Sequence, residues 1–287
     1  MGERDSDAVS GVYDELQDSH EEMWDKQGHR GLHYGYHDDD HDDPANAVEN
    51  TTRVLATLAE IGPDDRVLDL GCGAGAASIW IAAERGAEVV GIDVNDGLLE
   101  AAREYARDSD VMDSVMFRTD DFYELSTVEN ESIDVVWGLE AFCHSRADDT
   151  VLEQIHRVLA PGGRLVVGDL FQRSRNLDDR EANRLGRVDD GFGVDVTRID
   201  VFEAALADTG FENVSIRDVT EAVRPSVRRR GITGFVNYPI QRLRGLFGGG
   251  DDRELALYRA SYDIYKLIGG GALGYYIVTA DHYHEED

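Results

Sequence analysis

Arg66-Val67-Leu68-Asp69-Leu70-Gly71-Cys72-Gly73-Ala74-Gly75 is a short apolar strand that ends in an acid and runs into three closely spaced glycines. Glycine at 71, 73 and 75 lets the backbone turn sharply and pass close to a ligand with no Cβ in the way. Ala76-Ala77-Ser78-Ile79-Trp80-Ile81-Ala82-Ala83 then starts a helix whose N-terminal amides face the same space. Strand, glycine turn and helix in that order predict a nucleotide-cofactor loop in an α/β fold. The glycines alone do not choose the nucleotide, because Gly71-x-Gly73-x-x-Ala76 also satisfies the dinucleotide fingerprint in its Gly/Ala form.

Asp69 separates the candidates. A carboxylate two residues before the first glycine repels a pyrophosphate but favours a ligand that carries a sulfonium and an ammonium, as S-adenosylmethionine does. A dehydrogenase using NAD becomes the weaker expectation.

Outward from this loop, apolar strands alternate with helices. Strands are expected at 66–70, 88–92, 115–118, 133–137 and 164–169, and helices at 76–85, 97–107 and 149–159. Such alternation predicts a parallel, doubly wound, Rossmann-like sheet whose ligands lie at the carboxyl ends of the strands. Those ends carry Asp69, Asp93, Asp121, the stretch from Trp137 to His144, and Asp169. A helix at 46–61 precedes the core. After it come a charged connection at 172–196, a helix at 198–208, a strand at 213–219 and a final strand at 273–282, expected to run antiparallel near the sheet edge.

The expected organisation is one domain in four parts. Residues 1–45 form a leader and an amphipathic lid helix, with Val12, Tyr13, Leu16, His20, Met23 and Trp24 at helical spacing. Residues 46–220 form the core, 221–270 an Arg-rich helical insertion acting as lid, and 271–287 the last strand and an acidic tail.

Charge narrows the partners. Among 287 residues, 59 acids oppose 28 bases for a net charge of −31, and lysine occurs only at 26 and 266. Most of such a surface repels nucleic-acid backbones and anionic membranes, so nucleic acid is not an expected partner. Carboxylates spread along the whole chain point to adaptation to high salt, where self-repulsion is screened within a few ångströms. Cys72 and Cys143 provide neither a disulfide framework nor a metal site. The polar, acidic start and the lack of an apolar run of about 18 residues predict a cytoplasmic protein with no stable membrane insertion. His37 and His41 flank Asp38–Asp40 in an acidic tract before Pro44, but nothing there fixes a frame for convergent ligands, so no metal is expected.

Candidate site residues follow from position. Asp93, 18 residues after Gly75 with Val94 beside it, can accept hydrogen bonds from two ribose hydroxyls. Asp121 with Phe122 is placed to receive an adenine ring, and Asp120 competes with Asp121 for that role. The loop Gly31-Leu32-His33-Tyr34-Gly35-Tyr36-His37 brings ring edges towards a cavity or packs a helix on the core.

Taken together, Asp69 to Gly75, Asp93, Asp121, Ile133-Asp134-Val135-Val136-Trp137 and Arg157-Val-Leu-Ala-Pro-Gly-Gly163 resemble the successive motifs of class I S-adenosylmethionine-dependent methyltransferases. Tyr13-Asp14, Leu32 to Tyr36 and Trp137-Gly-Leu-Glu140-Ala-Phe-Cys-His144 are similar to small-molecule members near the tocopherol, sterol and ubiquinone/menaquinone enzymes. The resemblance implies a seven-stranded sheet, and a cofactor held by Asp69, Gly71, Cys72, Gly73, Gly75, Asp93, Asp121 and the backbone near Trp137 and Gly138. It also implies an acceptor beneath a lid. His144 is the first candidate for a base or an orienting group, and Glu140 the second; in sterol-type relatives an acid in this region stabilises a carbocation. His33, Tyr34, Tyr36 and Tyr13 are candidates to contact the substrate.

The expected activity is methyl transfer to carbon, oxygen or nitrogen of a small or isoprenoid-type molecule. The alternatives are an N-methyltransferase of the glycine, sarcosine or dimethylglycine kind, and a non-catalytic S-adenosylmethionine-binding partner protein. The Arg-rich insertion has three candidate roles: holding an anionic part of the substrate, meeting a membrane surface, and pairing with surface acids.

Overall fold

The computed structural model describes residues 31–144, 149–245 and 252–283. The amphipathic helix read at 12–24, with Tyr13, lies outside the described residues, as does the tail at 284–287.

Helix α1 (Pro44–Leu58) begins where local chemistry allows it: Asp43 caps it by accepting from the Ala45 and Asn46 amides, and Pro44 takes a first-turn position whose N–H would have no intrahelical partner. Its face through Ala47, Val48, Thr51 and Leu55 is buried. Next come β1 (Arg66–Leu70), α2 (Ala76–Arg85), β2 (Glu88–Asp93), α3 (Asp96–Asp108), β3 (Val115–Thr119) and β4 (Ile133–Leu139). The chain continues with α4 (Asp149–Val158), β5 (Leu159–Gln172), α5 (Asp179–Phe192), α6 (Ile199–Asp208) and β6 (Phe211–Asp218), and ends with α7 (Thr220–Gly245), α8 (Asp252–Gly269) and β7 (Leu273–His282).

The seven strands form one sheet in the order β3-β2-β1-β4-β5-β7-β6. Pairs from β3 through β5 are parallel, and β7 runs antiparallel to both β5 and β6. Successive strand residues serve opposite faces. Leu68, Leu70 and Val136 enter one core cluster with Leu152 and Phe202, while Val67, Val135 and Trp137 enter the other with Ile81 and Leu99. Both faces are covered, so the strands read as continuous apolar runs. Each fully buried aliphatic side chain contributes about 1.5–3 kcal/mol by leaving water, enough that two such layers hold the sheet between helices without a disulfide; both cysteines are free.

The final strand is antiparallel and near the edge as expected, slotting between β5 and β6. Two expectations change. The connection at 172–196 contains α5, whose start is fixed by a reciprocal cap in which Asp178 accepts from the Glu181 amide and Glu181 from the Asp178 amide. Strand β5 begins at Leu159, before Pro161-Gly162-Gly163, with its pairing to β4 shifted between Ile133 and Val135.

The insertion consists of α7 and α8 packed on each other, with α8 also on α5. Asp263 of α8 is buried and receives Arg187 Nε at 2.7 Å and the Arg184 guanidinium.

Candidate active site

Strand order reverses between β1 and β4, since the chain builds outward from β1 to β3 and then returns to β1's other side. That reversal opens a crevice at the carboxyl ends. A cavity of about 1180 Å³, its open mouth included, occupies it. Its wall is made by Gly31, Leu32 and His33, by Asp69, Gly71 to Ala74, Ala76 and Ala77, by Asp93, Val94 and Leu98, by Asp121 to Tyr123, and by Leu139, Glu140, Ala141 and His144; Gly75 stands behind it.

The glycine loop works by conformation and by space. Gly75 has φ +78°, and a Cβ there would come within 2.9 Å of Ala102 Cβ and Phe117 Cζ, so only glycine lets α2 start this close to α3 and β3. Gly73 has φ +53°, and nothing stands within 4 Å of where its Cβ would be; it leaves the backbone bare to the cavity. The Gly73 amide donates to Asp93 Oδ2 and the Asn95 amide to Oδ1, both at 2.9 Å. Asp93 is thereby locked with its outward lone pairs available, and burial raises its pKa.

Asp69 is 2% exposed, and its Oδ2 accepts from Ser78 Oγ at 2.5 Å. Burial pushes its pKa up to about 7, with Asp93 adding to the rise. A cationic ligand in the cavity would restore the anion. Cys72 points inward with its thiol pKa raised by the same burial and by Asp69 and Asp93.

The structure separates the two neighbouring acids. Asp121 lines the cavity with Phe122, its Oδ1 accepting from the Tyr123 amide. Asp120 does not reach the cavity wall: burial would raise its pKa, but hydrogen bonds from Thr127, Ser126 and the Asp121 amide hold it below the usual carboxylate range. Asp120 serves the turn after β3.

Trp137 and Gly138 also lie outside the wall. Trp137 is fully buried in the core cluster that contains Val67, and a Cβ on Gly138 would strike Phe142, so the cavity edge begins at Leu139. The glycine at 138 makes room for an aromatic ring under the site.

Glu140 is the most constrained residue of the wall. Its φ is +53°, a left-handed conformation that costs a non-glycine residue about 1–2 kcal/mol. Its Oε1 accepts from the Tyr34 amide at 2.6 Å and the Tyr275 hydroxyl at 3.1 Å. Burial raises its pKa to about 7, although Arg230 pulls the other way. His144 closes the short 3-10 turn Phe142–His144 and lines the same cavity. Behind it, Asp169 accepts from the Cys143 amide at 3.0 Å and the Leu170 amide at 2.7 Å, with its pKa raised to about 6 by burial.

The strap at 31–37 divides its residues. Leu32 and His33 face the cavity. Tyr34 is buried with its ring edge-on to Tyr275 at 6.3 Å between centroids, and Tyr36 is tied to α1 through the Ala47 carbonyl and Thr51; neither reaches the wall. Arg230 of α7 holds the strap, donating to the Leu32 carbonyl at 2.5 Å and the His33 carbonyl at 2.8 Å with its guanidinium 4.6 Å from the Tyr34 ring centre. Helices α7 and α8 contribute nothing to the wall among the described residues. They brace what does.

Leu32, Leu98, Tyr123 and Leu139 are wall residues that sequence motifs do not single out. Ser78, Arg230 and Tyr275 support the wall from behind. In the acidic tract, Asp38 accepts from His41 and Asn50, and among the described residues no group of three or more His, Cys, Asp or Glu is placed to hold a metal ion.

The family model described as "Methyltransferase domain" matches residues 68–167, the segment from β1 into β5 that carries most of this wall. The 27-O-demethylrifamycin SV methyltransferase of Amycolatopsis mediterranei is 36% identical over 218 residues, 75% of this chain and 77% of that protein. The chain belongs to the class I S-adenosylmethionine-dependent methyltransferases. Its cofactor is S-adenosylmethionine, and the site fits it: a bare glycine turn, a locked carboxylate at the end of β2, an acid with an aromatic ring after β3, and a buried carboxylate suited to a cation.

A further relative, the glycine/sarcosine/dimethylglycine N-methyltransferase of Actinopolyspora halophila, is 28% identical over 195 residues, 68% of this chain but 34% of that longer protein. Among solved structures, a geranyl diphosphate methyltransferase in complex with GPP and sinefungin superposes with a TM-score of 0.79 over 96% of this methyltransferase and 98% of that chain. At 16% identity that likeness concerns the fold.

Proposed function

We propose that this methyltransferase acts on the hydroxyl oxygen of a small, uncharged, largely apolar molecule of isoprenoid type. The observation that carries this reading is the chemistry of the wall. Asp69, Asp93, Asp121 and Glu140 line it together with Leu32, Leu98 and Leu139, and no lysine or arginine lines it among the described residues. In the part of the wall that the cofactor leaves to the acceptor, a carboxylate or diphosphate would meet the buried Glu140 and no lysine or arginine among the described residues. The name of the 36% identical relative, 27-O-demethylrifamycin SV methyltransferase, supports oxygen as the acceptor atom.

When bound, the cofactor supplies an electrophilic methyl group on a sulfonium. The chain's own residues do the rest. Gly71 and Gly73 leave the backbone bare against the methionine end, Gly75 lets the helix start behind them, and Asp69 with its Ser78 partner balances the cationic groups. Asp93 receives the ribose hydroxyls, with the Val94 side chain beside it, and Asp121 and Phe122 receive the adenine. His144 takes the proton from the acceptor hydroxyl, and Glu140 orients the acceptor from a position fixed by Tyr34 and Tyr275. Proximity and exclusion of water supply most of the acceleration of such a transfer.

The acidic composition and the relative from a halophilic source support a salt-adapted enzyme, and they favour one second reading, N-methylation of glycine-type acceptors. The two differ in acceptor charge. Transfer of labelled methyl from S-adenosylmethionine is measured in molar KCl with neutral alcohols, phenols and sterols in one set and glycine, sarcosine and dimethylglycine in the other. Label in the first set alone supports the proposal, and label in the amino-acid set alone overturns it.

A further inference from the structure

Helix α7 carries the one strongly basic stretch of a strongly acidic chain. Between residues 220 and 245 there are six arginines, at 224, 228, 229, 230, 242 and 244, against a single acid, Glu221. The helix packs inward through Val223, Val227, Gly231 and Gly234; a Cβ on Gly231 would meet Tyr265 and one on Gly234 the Tyr258 carbonyl, so its inner face lies tight on α8. The outer face is apolar. Ile232, Phe235, Val236, Ile240 and Leu243 are between 46% and 61% exposed, and they make up more than half of the large hydrophobic side chains exposed on the described surface. Ile232, Val236, Ile240 and Leu243 follow one another at four, four and three residues, with Phe235 beside Val236, and they form one stripe along the helix.

Arginines frame that stripe at both ends, Arg228 and Arg229 before it and Arg242 and Arg244 after it. None of the four has an acid within 4 Å among the described residues, whereas Arg224 of the same helix pairs with Glu221. Direct ion pairs therefore do not hold them, although Arg229 feels the charge of Asp43.

We propose that the outer face of α7 docks on an anionic lipid surface, with the apolar stripe at the acyl boundary and the flanking guanidiniums on the phosphates. Exposed apolar side chains between cationic ends are what an interfacial helix requires, and guanidinium pairs well with phosphate oxygens. Length and hydropathy exclude a spanning role for any described helix. Against an overall charge of −31, the arginines of α7 give this helix the opposite sign from the chain as a whole, which favours this orientation on such a surface. A second copy of this chain is the poorer occupant: an antiparallel α7 pair about a two-fold axis would set Arg228 and Arg229 against Arg242 and Arg244, and a parallel pair would set each cluster against itself.

Arg230, two residues before Ile232, leaves the other side of the helix and holds the carbonyls of Leu32 and His33, so α7 meets the strap with one face while its apolar stripe faces out. The docking itself does not depend on which acceptor the site takes.

The test is flotation of the full chain with vesicles of pure phosphatidylcholine and of equimolar phosphatidylcholine and phosphatidylglycerol. It is run at the lowest KCl concentration at which circular dichroism shows the native fold. The expected result is partitioning to the anionic vesicles about tenfold or more above the neutral ones. Phe235→Ser with Ile240→Ser, and separately Arg228→Gln with Arg242→Gln, should each lower that partitioning about tenfold while S-adenosylhomocysteine affinity stays unchanged, which reports an intact fold. Equal partitioning of wild type and both variants overturns the proposal, as does wild type that stays off both vesicles. Sedimentation velocity supplies the third arm: a dimer that Phe235→Ser with Ile240→Ser converts to monomer, with no change in vesicle binding, assigns the face to a second copy instead.

Discussion

The Tyr275 hydroxyl donates to Glu140 Oε1 at 3.1 Å, joining the last strand to the turn after β4 across 135 residues of chain. Tyr275 is fully buried, and burial together with Glu140 raises its phenol pKa well above the ordinary value, so it remains the donor and Glu140 the acceptor. Glu140 itself is pushed from 4.5 to about 7 by burial. A carboxyl whose folded pKa lies above its unfolded one stabilises the fold most below about 4.5, and that contribution is lost as pH rises through 7. Glu140→Gln keeps an acceptor oxygen for Tyr34 and Tyr275 but cannot ionise. Urea denaturation of the cofactor-free protein should therefore give the two proteins equal stability near pH 5, and should favour the variant by roughly 2 kcal/mol near pH 8. A difference that does not change with pH would sink the assignment of the charge.

Asp69 carries a parallel prediction with the ligand added. Burial raises its pKa to about 7, while a sulfonium or ammonium nearby favours the ionised form. Binding such a ligand then requires a proton to leave at acid pH, so S-adenosylmethionine affinity should climb with pH up to about 7 and level above it. Asp69→Asn retains an acceptor for Ser78 but removes the charge. Calorimetry should show affinity at pH 8 reduced about tenfold or more, with the pH dependence flattened. An Asp69→Asn protein that keeps the wild-type slope would move the titration to another group.

The parts of this site legible in the sequence are those whose geometry is local. Gly71 to Gly75 and Asp93 report their own conformation, because a turn at the end of a strand needs glycine and a strand end needs a polar residue. Asp121 was legible only as a pair with Asp120, since two adjacent acids leave opposite sides of the chain and only folding shows that Thr127 claims the first. The aromatic strap misled for a related reason: Tyr34 has the apolar body and polar tip of a substrate contact, yet it serves the core, and its neighbour His33 reaches the cavity. Trp137 stands outside the cavity because the alternation of β4 turns its ring into the layer beneath. Arg230 and Tyr275 left no sequence signal, because their partners lie 198 and 135 residues away.

His144 is tested by kinetics. If it takes the acceptor proton, His144→Ala should lower kcat by about 10²–10⁴ with a hydroxyl acceptor, because a positioned base contributes about that much. S-adenosylhomocysteine affinity should stay within about threefold, since the role concerns the acceptor. A second readout guards against mere loosening of the turn: His144→Gln, which keeps a hydrogen-bonding group but cannot take a proton, should be as slow as His144→Ala. Unchanged turnover at saturating acceptor would remove His144 from the chemistry.

Salt separates the two kinds of charge in this protein. The exposed Arg107–Glu100 pair at 3.4 Å belongs to a surface where 59 acids oppose 28 bases, and the screening length there falls from about 10 Å at 0.1 M to about 3 Å at 1 M. Repulsion dominates that surface, so the melting temperature should rise by more than about 5 °C between 0.1 and 2 M KCl. Arg107→Ala should change stability by less than about 1 kcal/mol at either salt concentration, as exposed pairs do. Asp263 is the contrasting case. It sits 3% exposed between Arg184 and Arg187 and ties α8 to α5, where ions do not penetrate. Asp263→Ala leaves two guanidiniums facing an apolar seam and should cost about 3–5 kcal/mol, measured by urea denaturation, in low and high salt alike. If molar KCl rescues Asp263→Ala to wild-type stability, the pair belongs to the screened surface after all, and the bracing of α8 must rest on its apolar contacts with α5.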